Sequence, residues 1–403
     1  MSFESEILKY LQERNFINDC SDFENLDKEC FGAEKSGKGI TLYAGYDLTA
    51  PSLHAGNLMT LMMLRHFQKC GHNVVVLLGG ATTKIGDPTG KDTIRKPLTD
   101  AQIQENLRGI NANFSQILLP GFEVVNNNDW LGEIGYLQLL KEVGVYFSVN
   151  RMIKMESVEA RLDREQEMSF LEFNYMIFQA YDFYHLAKTK NCILQIGGSD
   201  QWGNIIQGVK ISNRILNTDT FALTCPLITR ADGGKMGKSV SGAVWLSKEM
   251  LSHFEYFQYF RNIDDRDVGK FLRFFTELPI EEIQALAKLK SKEINEAKKI
   301  LAFEATKICH GEILANEAMK FANEVFQEKN QAGTMEEIQI KSRNIIDILV
   351  EISFAGSKSD AKTLIKQNSV KINGELCTDI TMEVEKKSTI QIGKKKFVRV
   401  IRL

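Results

Sequence analysis

The stretch that decides the fold is residues 41–60, which read TLYAGYDLTAPSLHAGNLMT. It continues an apolar run over residues 40–43 that is typical of a buried strand. A glycine-containing turn follows, and a periodic apolar run over residues 58–67 predicts a helix that ends before Gly71. The stretch therefore predicts a strand, a loop and a helix, which is the repeating unit of parallel α/β domains.

The junction between this loop and its helix has the properties of an anion site. Free N–H groups and the helix dipole point at a ligand there. His54 is a hydrogen-bond donor at its mouth, and Gly56 lets a flat base or a phosphate approach the backbone. Any parallel α/β domain has such a junction, however, so a histidine that merely caps the helix is an equally good interpretation at this point.

A second strand, turn and helix follow later in the chain. Residues 192–196 predict a strand, Gly197 and Gly198 form its exit turn, and Asp200 begins the next helix. Two such units predict a doubly wound, Rossmann-like parallel sheet, of which residues 224–229 would be the last strand. Gly197 and Gly198 would let a ribose or a base lie flat on the backbone, and Asp200 would accept hydrogen bonds from ribose hydroxyls.

Polar side chains form a narrow stripe on the helix predicted over residues 169–188. Tyr175, Gln179 and Asp182 are four and then three residues apart, so they share one face. Partly exposed polar stripes are common, but this one is flanked by apolar side chains. Buried polar groups need partners, and a ligand would supply them.

Two loops are candidates for phosphate binding. Residues 79–92 are rich in glycine but do not form a Walker A loop, because Ile85 takes the place of its first glycine and Asp92 that of its Ser or Thr. Asp87 in this loop falls near the carboxyl end of the preceding strand. Residues 235–239, KMGKS, contain two lysines whose ammonium groups would close on a polyphosphate. A solvated cationic loop is the alternative interpretation.

Composition limits the class of protein. The chain has 403 residues, of which 43% are hydrophobic and 25% charged, as expected for two or three globular domains. Its formal net charge of −2 does not indicate a nucleic-acid partner. From Lys341 onward, however, 13 lysines and arginines stand against 7 acidic residues, which favours a polyanion as partner of this part.

The same inspection predicts a cytoplasmic protein. The first residues are polar, with Glu4, Glu6 and Lys9 where a secretion signal would be apolar. No apolar run is long enough to span a membrane. The seven cysteines are scattered without a C-x-x-C pair, so we expect reduced thiols and no metal site.

Four stretches, in this order and spacing, resemble the class I aminoacyl-tRNA synthetases and, among them, the bacterial tyrosyl-tRNA synthetases. They are HAGN at 54–57, FNYMIFQAYD at 173–182, LQIGGSDQWGN at 194–204 and KMGKS at 235–239. Each signature is weak alone, but together they are specific, and the resemblance covers essentially the whole chain. The chain departs from the class pattern at Asn57, which replaces the second His of HIGH, and at Gly237, which replaces the first Ser of KMSKS.

The resemblance implies a tyrosine–tRNA ligase. Such an enzyme activates L-tyrosine with ATP to tyrosyl-adenylate and pyrophosphate, then transfers the tyrosyl group to the 3′-terminal adenosine of tRNA(Tyr). ATP is a substrate, accompanied by Mg²⁺ without a dedicated protein metal site. The resemblance also implies a homodimer.

Site residues follow by matching the motifs of the family. For ATP the resemblance implies His54, Gly56, Asn57, Gly198, Asp200, Lys235, Lys238 and Ser239. For catalysis it implies Thr49, His54, Lys235 and Lys238. For tyrosine it implies Tyr43, Asp47, Asp87, Tyr175, Gln179, Asp182 and Gln201. Tyr43 and Asp182 would bracket the phenolic hydroxyl.

The course of the chain predicts the domain organisation, with a helix-rich stretch and then a polar linker after the predicted sheet. We expect a Rossmann-like catalytic domain over residues 1–248, a helical domain over 249–326, a linker over 327–341 and a small α+β domain over 342–403. The last domain resembles the S-four-type RNA-binding domain, since its predicted hairpin is basic.

Two alternatives stay open. A tryptophanyl-tRNA synthetase shares this sheet, but Asp182 together with Tyr43 and the RNA-binding tail argue against it. A synthetase-like RNA-binding protein without catalysis would not need His54, Lys235 or Lys238. Exchange of pyrophosphate into ATP with each amino acid separates the three.

Overall fold

The computed structural model describes residues 2–87, 98–231, 233, 236, 238–239, 242–327, 337–373, 375–393 and 396–402, without the side chains of residues 156–157, 238–239, 242, 324–327, 375 and 387. The chain divides into two compact units, Met1–Ala318 and Met319–Leu403. None of the described helices is both long and apolar enough to cross a membrane.

Strands of the first unit alternate with helices. The strands are β1 (Asp19–Cys20), β2 (Thr41–Asp47), β3 (Asn73–Gly79), β4 (Glu123–Asn126), β5 (Cys192–Gly198), β6 (Phe221–Cys225), β7 (Lys238–Ser239) and β8 (Gly242–Ala243). The helices up to β6 are α1 (Glu6–Glu13), α2 (Phe23–Ser36), α3 (Leu58–Lys69), α4 (Thr82–Ile85), α5 (Asp100–Ile117), α6 (Asn128–Leu131), α7 (Tyr136–Glu142), α8 (Val149–Met152), α9 (Glu156–Asp163), α10 (Phe170–Phe173), α11 (Tyr175–Lys190) and α12 (Trp202–Leu216).

After β8 the described chain is helical until the second unit begins. These helices are α13 (His253–Arg261), α14 (Val268–Phe275), α15 (Ile280–Leu286), α16 (Ile294–His310) and α17 (Glu312–Gln327). The buried guanidinium of Arg14, at the end of α1, donates to the carbonyl oxygens of Arg273 at 3.0 Å and Thr276 at 2.6 Å. The start of the chain is thereby tied to the end of α14.

In the described part of the first unit, six strands form one sheet in the order β1-β6-β5-β2-β3-β4. β2 pairs in parallel with both β3 and β5, and β6 pairs in parallel with β5, whereas the short β1 is antiparallel to β6. Successive strands therefore extend in opposite directions from the β2–β5 boundary. The prediction of a doubly wound parallel sheet is confirmed, and this boundary is its topological switch point.

Apolar strands and helix faces explain why the sheet is buried. The sequence of β3, NVVVLLG, is buried at every position after Asn73, as expected for a parallel strand with helices on both faces. α11 and α12 cover one side, where Phe183 and Ile205 pack with Val75. The two helices approach closely at Gly208, since an added Cβ there would lie 3.0 Å from the Cβ of Phe183.

The decisive stretch folds as predicted, with corrections further along. β2 ends at Asp47 and α3 begins at Leu58, so strand, loop and helix are confirmed. The strand expected over residues 224–229 is instead β6, which ends at Cys225 because Pro226 has no N–H for the ladder. The helix expected over residues 169–188 is divided between α10 and α11 at Asn174.

The second unit is an α+β structure. Its strands are β9 (Glu337–Ile340), β10 (Val370–Ile372), β11 (Glu375–Leu376), β12 (Lys387–Ile392) and β13 (Lys396–Arg402), and its helices after α17 are α18 (Ile345–Glu351) and α19 (Lys358–Lys366). Its described strands form one sheet in the order β11-β10-β12-β13-β9. β9 pairs in parallel with β13, so Glu337–Ile340, which we expected within the linker 327–341, belongs to this sheet.

Candidate active site

A cavity of about 540 Å³ opens at the carboxyl ends of β2 and β5, beside the switch point of the sheet. Ligands of doubly wound sheets bind at this place because the loops there diverge. Of the residues that the sequence predicts, the cavity is lined by Tyr43, Asp47, Thr49, His54, Gly56, Asn57, Asp87, Tyr175, Gln179, Asp182, Gly198, Asp200 and Gln201. Stretches far apart in the sequence are thus brought to one site.

The lysine stretch is only partly described. Lys235 and the side chains of Lys238 and Ser239 lie outside the described part of the structure. The backbone of Lys238–Ser239 forms β7, which pairs with β8 in an antiparallel hairpin. Met236 lines the cavity, so the stretch reaches the site.

At the inner end of the cavity, Asp182 is buried and held by two donors. Asn127 donates from Nδ2 to Oδ2 at 2.9 Å, and Trp130 donates from Nε1 to Oδ1 at 2.8 Å. Burial raises the pKa of Asp182 to about 7, although these two hydrogen bonds oppose the shift. Each carboxylate oxygen is oriented by one donor and keeps a lone pair for a ligand.

Tyr43 lies at the same end of the cavity. Its ring packs edge-on against Phe183, with centroids 5.4 Å apart, and its hydroxyl is buried without a hydrogen-bond partner among the described residues. Burial, and then the charge of Asp182, raises the pKa of Tyr43 well above its ordinary value, so the phenol stays protonated. An unpaired buried hydroxyl costs about 1–3 kcal/mol. A ligand with a hydroxyl group would remove this cost.

A row of amides connects the middle of the cavity to Asp87. Gln201 donates from Nε2 to Oδ2 of Asp87 at 2.8 Å, and Gln179 donates from Nε2 to Oε1 of Gln201 at 3.5 Å. Nearby, burial and the charges of Asp47 and Asp87 raise the pKa of Tyr175 well above its ordinary value. Two carboxylates near a neutral phenol form a negative environment that suits an ammonium group.

At the outer end, His54 is oriented by its own loop. The N–H of Gly56 donates to Nδ1 of His54 at 3.0 Å, so a neutral imidazole carries its proton on Nε2. The N–H of His54 donates to Oδ1 of Asn57 at 3.2 Å. A Cβ on Gly56 would lie 2.8 Å from Cε1 of His54, so the ring position requires glycine here. The sequence interpretation of Gly56 as a site of backbone approach misses this packing role.

Sequence inspection also missed Asn127 and Trp130, which orient Asp182. A signal was present, since both follow the strand β4, whose carboxyl end lies at the same edge of the sheet as those of β2 and β3. Gln195 was missed as well. It lines the cavity and pairs in register with Tyr43, and its Oε1 is buried without a partner among the described residues.

Comparisons with known proteins agree with this geometry. A family model described as tRNA synthetases class I (W and Y) matches residues 35–327, and one described as the tyrosine–tRNA ligase SYY-like C-terminal domain matches residues 325–402. A tyrosine–tRNA ligase of Wolbachia sp. subsp. Brugia malayi is 45% identical over 419 residues, with 100% of each chain covered. One of Xanthobacter autotrophicus is 45% identical over 401 residues, covering 97% of this chain and 94% of that one.

A solved structure resembles most of the chain. A C-terminally truncated mitochondrial tyrosyl-tRNA synthetase of Aspergillus nidulans matches with a TM-score of 0.72 and 29% identity, over 80% of this chain and 94% of that one. Fold, cavity and sequence similarity therefore lead to one conclusion. The chain belongs to the tyrosyl-tRNA synthetase family of the class I aminoacyl-tRNA synthetases.

Proposed function

We propose that the chain charges tRNA(Tyr) with L-tyrosine at the expense of ATP. The observation that carries this function is the inner end of the cavity, where the oriented carboxylate of Asp182 and the unpaired hydroxyl of Tyr43 face one space. Such a pair fits one phenolic hydroxyl, with Asp182 accepting from it and Tyr43 donating to it. A site built to bond a hydroxyl rejects the analogue that lacks it, because its own polar groups stay unpaired.

The other tyrosine contacts follow from charge. The tyrosine ammonium group would lie against Asp87, Tyr175 and Gln179, with Asp47 nearby. Gln201, already bonded to Asp87, would meet the tyrosine carboxylate. This arrangement leaves the tyrosine carboxylate toward the outer half of the cavity, where ATP would bind.

Two transfers would occur without a protein nucleophile. An oxygen of the tyrosine carboxylate forms a bond to the α-phosphorus of ATP, while the bond to the bridging oxygen breaks and its electron pair leaves with pyrophosphate. The 3′-terminal adenosine of tRNA then attacks the tyrosyl carbonyl carbon through a ribose hydroxyl, and AMP leaves. Positioning and charge stabilisation supply the rate.

The contacts with ATP would come from residues in the outer half of the cavity. His54 would donate from Nε2 to a phosphate oxygen, since its Nδ1 already accepts from Gly56. Thr49 and Asn57 lie on the same loop and would add donors, and Gly198 and Asp200 would meet the ribose. Lys235 and Lys238 would neutralise the departing pyrophosphate, with Ser239 beside them.

We propose that Mg²⁺ arrives with ATP. No group of three or more His, Cys, Asp or Glu side chains within the described ranges is arranged to hold a metal ion. Mg²⁺ prefers oxygen ligands, which the phosphates of ATP and water would supply. The ion would neutralise charge on the phosphates.

The tRNA would contact the second unit. From Lys341 onward the chain is basic, and this unit matches the C-terminal domain model of tyrosine–tRNA ligases. Basic side chains pair with phosphates, so tRNA binding should weaken as salt increases. The division into a catalytic domain over residues 1–248 and a helical domain over 249–326 remains part of this proposal.

A homodimer is supported by exposed apolar side chains. Most large exposed hydrophobic residues of the described chain fall between α7 and α10, at Tyr136, Leu137, Val145, Tyr146, Val149, Ile153, Leu162, Phe170 and Leu171. Leu137 is 72% exposed and Phe170 is 69% exposed. Exposed apolar side chains concentrated in one stretch of the chain favour a protein interface there. A cytoplasmic location is supported by the seven cysteines, which all lie in the described part as free thiols.

The test is tyrosine-dependent exchange of labelled pyrophosphate into ATP, followed by charging of tRNA(Tyr). We expect exchange with tyrosine and none with tryptophan or phenylalanine. Exchange with tryptophan would support the neighbouring family instead. A folded protein that binds tRNA without exchange for any amino acid would be an RNA-binding protein only.

A further inference from the structure

One face of α5 is fitted to the loop that carries His54. Asn106, Gly109 and Asn113 lie three and four residues apart, so they share this face. Asn106 donates from Nδ2 to the carbonyl oxygen of Leu48 at 2.7 Å. A Cβ on Gly109 would lie 1.8 Å from the carbonyl oxygen of Pro51, so helix and loop are in direct contact. The loop is therefore fixed to α5 along its length.

Asn113 lies nearest to His54 in this set of contacts, because its side chain bonds to the loop at Leu53. It is 1% exposed, and its Oδ1 accepts from the N–H of Leu53 at 2.9 Å. The hydroxyl of Ser52 shares its one proton between this Oδ1, at 3.1 Å, and the carbonyl oxygen of Leu53, at 2.7 Å. The Nδ2 of Asn113 is buried without a partner among the described residues. A buried donor without a partner destabilises the fold. We therefore attribute the presence of an asparagine at this position to the hydrogen bonds that its oxygen accepts.

Ser52 carries the connection to a third segment. Its Oγ accepts from the N–H of Ser247 at 3.0 Å. Two backbone bonds run alongside, from the N–H of Leu246 to the carbonyl oxygen of Leu53 at 2.9 Å and from the N–H of Ala55 to that of Val244 at 2.8 Å. We call residues 244–247 the stem, because they directly follow β8 and the lysine stretch.

Asn113 and Ser52 thus join the His54 loop to the stem. His54 itself forms an antiparallel bridge with Trp245 in the stem. Both segments line the cavity at its outer half, through His54 and Trp245. The position of the stem relative to His54 is therefore fixed by residues 52–55 together, and Ser52 supplies the side-chain bond among these contacts.

We propose that Asn113 is a positioning residue for the nucleotide half of the reaction, which holds the His54 loop and the stem of the lysine stretch in register. This inference rests on the proposed function. Asn113 acts through Ser52 and Leu53 and touches no substrate. Its loss should therefore weaken the handling of ATP and pyrophosphate and leave tyrosine binding intact, since the inner end of the cavity is held by Asn127 and Trp130.

The experiment compares Asn113→Ala with Asn213→Ala in the full chain. Asn213 is a matched control, because its Oδ1 also accepts from one backbone N–H and one hydroxyl, both of Thr220, at 2.8 and 2.6 Å. Its partner Thr220 is not among the residues that line the cavity, whereas Ser52 and Leu53, the partners of Asn113, are. Steady-state exchange gives the KM for tyrosine, the KM for ATP and kcat for each variant.

We expect Asn113→Ala to lower kcat/KM for ATP about tenfold, the effect of one lost hydrogen bond, with the KM for tyrosine within about twofold of wild type. Asn213→Ala should change neither. Ser52→Ala is the second test, in case Asn113→Ala fails to fold. It removes the bond to Ser247 but keeps the side chain of Asn113, and it should also lower kcat/KM for ATP. Together, the two substitutions should cost less than the product of their separate effects.

Equal changes in the tyrosine and ATP parameters, or an equal effect of Asn213→Ala, would overturn the proposal. Equilibrium dialysis of ATP and of tyrosine separates this outcome from failure of the proposed function. If the wild type shows no exchange, weaker ATP binding by Asn113→Ala at unchanged tyrosine binding still supports the positioning role. Unchanged ATP binding would refute it.

Discussion

The two ends of the cavity are built differently. The inner end comes from regular elements: Tyr43 on β2 and Asp182 on α11, with two donors from the chain just after β4. The outer end comes from loop backbone, where His54 and Gly56 are oriented by hydrogen bonds within four residues of each other. In the function that we propose, amino-acid selection would rely on preformed side chains, whereas phosphate handling would rely on loops that neighbouring helices support.

The largest effect should follow from Asp182→Asn. This change keeps the shape but removes the charge and places an amide against two N–H donors. We expect kcat/KM for tyrosine to fall about 100-fold, because a buried charge-assisted hydrogen bond is lost. The KM for ATP, measured in the same exchange assay, should stay within about twofold. If the KM for ATP rose together with the KM for tyrosine, the two ends of the cavity would not act separately.

A smaller effect, at the other end, should follow from Gly56→Ala. The added methyl group would meet the imidazole of His54 at 2.8 Å and push it from its place. Overpacking of this kind costs about 2 kcal/mol, which is about 30-fold in kcat/KM for ATP. Gly32→Ala on α2 is the control, since a Cβ there meets nothing within 4 Å. An altered KM for tyrosine with normal ATP kinetics would contradict this assignment.

Protonation of Asp182 should weaken tyrosine binding as pH falls. The pKa of Asp182 is raised to about 7 by burial, so about a tenth of it is ionised one pH unit below that value. We expect the KM for tyrosine to rise about tenfold from pH 8 to pH 6, while the KM for ATP does not follow this titration. The Asp182→Asn variant should lose this dependence, and a wild-type KM that stays flat would argue against a carboxylate acceptor.

The raised pKa of Asp182 also makes the free energy of unfolding depend on pH. A carboxyl group whose pKa is higher in the folded than in the unfolded state favours folding at low pH. That contribution is full below the ordinary value of 3.8 and is lost as pH rises through about 7. Bound tyrosine should lower this pKa, since the phenolic hydroxyl donates to the charged form.

The smallest of these effects should follow from Trp130→Phe. One donor to Asp182 is lost while Asn127 still holds the other oxygen. We expect about a fivefold rise in the KM for tyrosine, in line with about 1 kcal/mol for one hydrogen bond. Trp202→Phe is the comparison variant, since it alters a partly buried tryptophan that begins α12 and packs against the core. Equal effects of the two would mean that the indole N–H has no specific part.

Local patterns explain why much of the fold was predictable. Apolar runs of the right period give β2, β3 and α3, and the capping box of Thr99 with Gln102 marks the start of α5. β1 and β9 were not foreseen, because such short strands form only through pairing with distant partners, Leu223 and Thr224 for β1 and the C-terminal strand β13 for β9. Pairing over such separations leaves no periodic signal.

The residues of the candidate site also fall into those that the sequence predicts and those that it does not. Residues inside motifs, such as His54 and Asp182, could be named from the sequence, and the structure brings them to one cavity. Asn127 and Asn113 act over 55 and 60 residues of chain. The place of Asn127 directly after β4 was a signal for its role, but an asparagine within a helix, such as Asn113, carries no distinct pattern. Their roles depend on tertiary contacts that only coordinates give.

The most direct measurement is the ratio of exchange rates with tyrosine and phenylalanine, for wild type beside Asp182→Asn. We expect strong selectivity for tyrosine in the wild type. We also expect the variant to lose activity with tyrosine far more than with phenylalanine, so that the ratio of the two rates falls toward one. An unchanged ratio, or exchange by the wild type that does not distinguish the two amino acids, would contradict the claim that this end of the cavity selects by the phenolic hydroxyl.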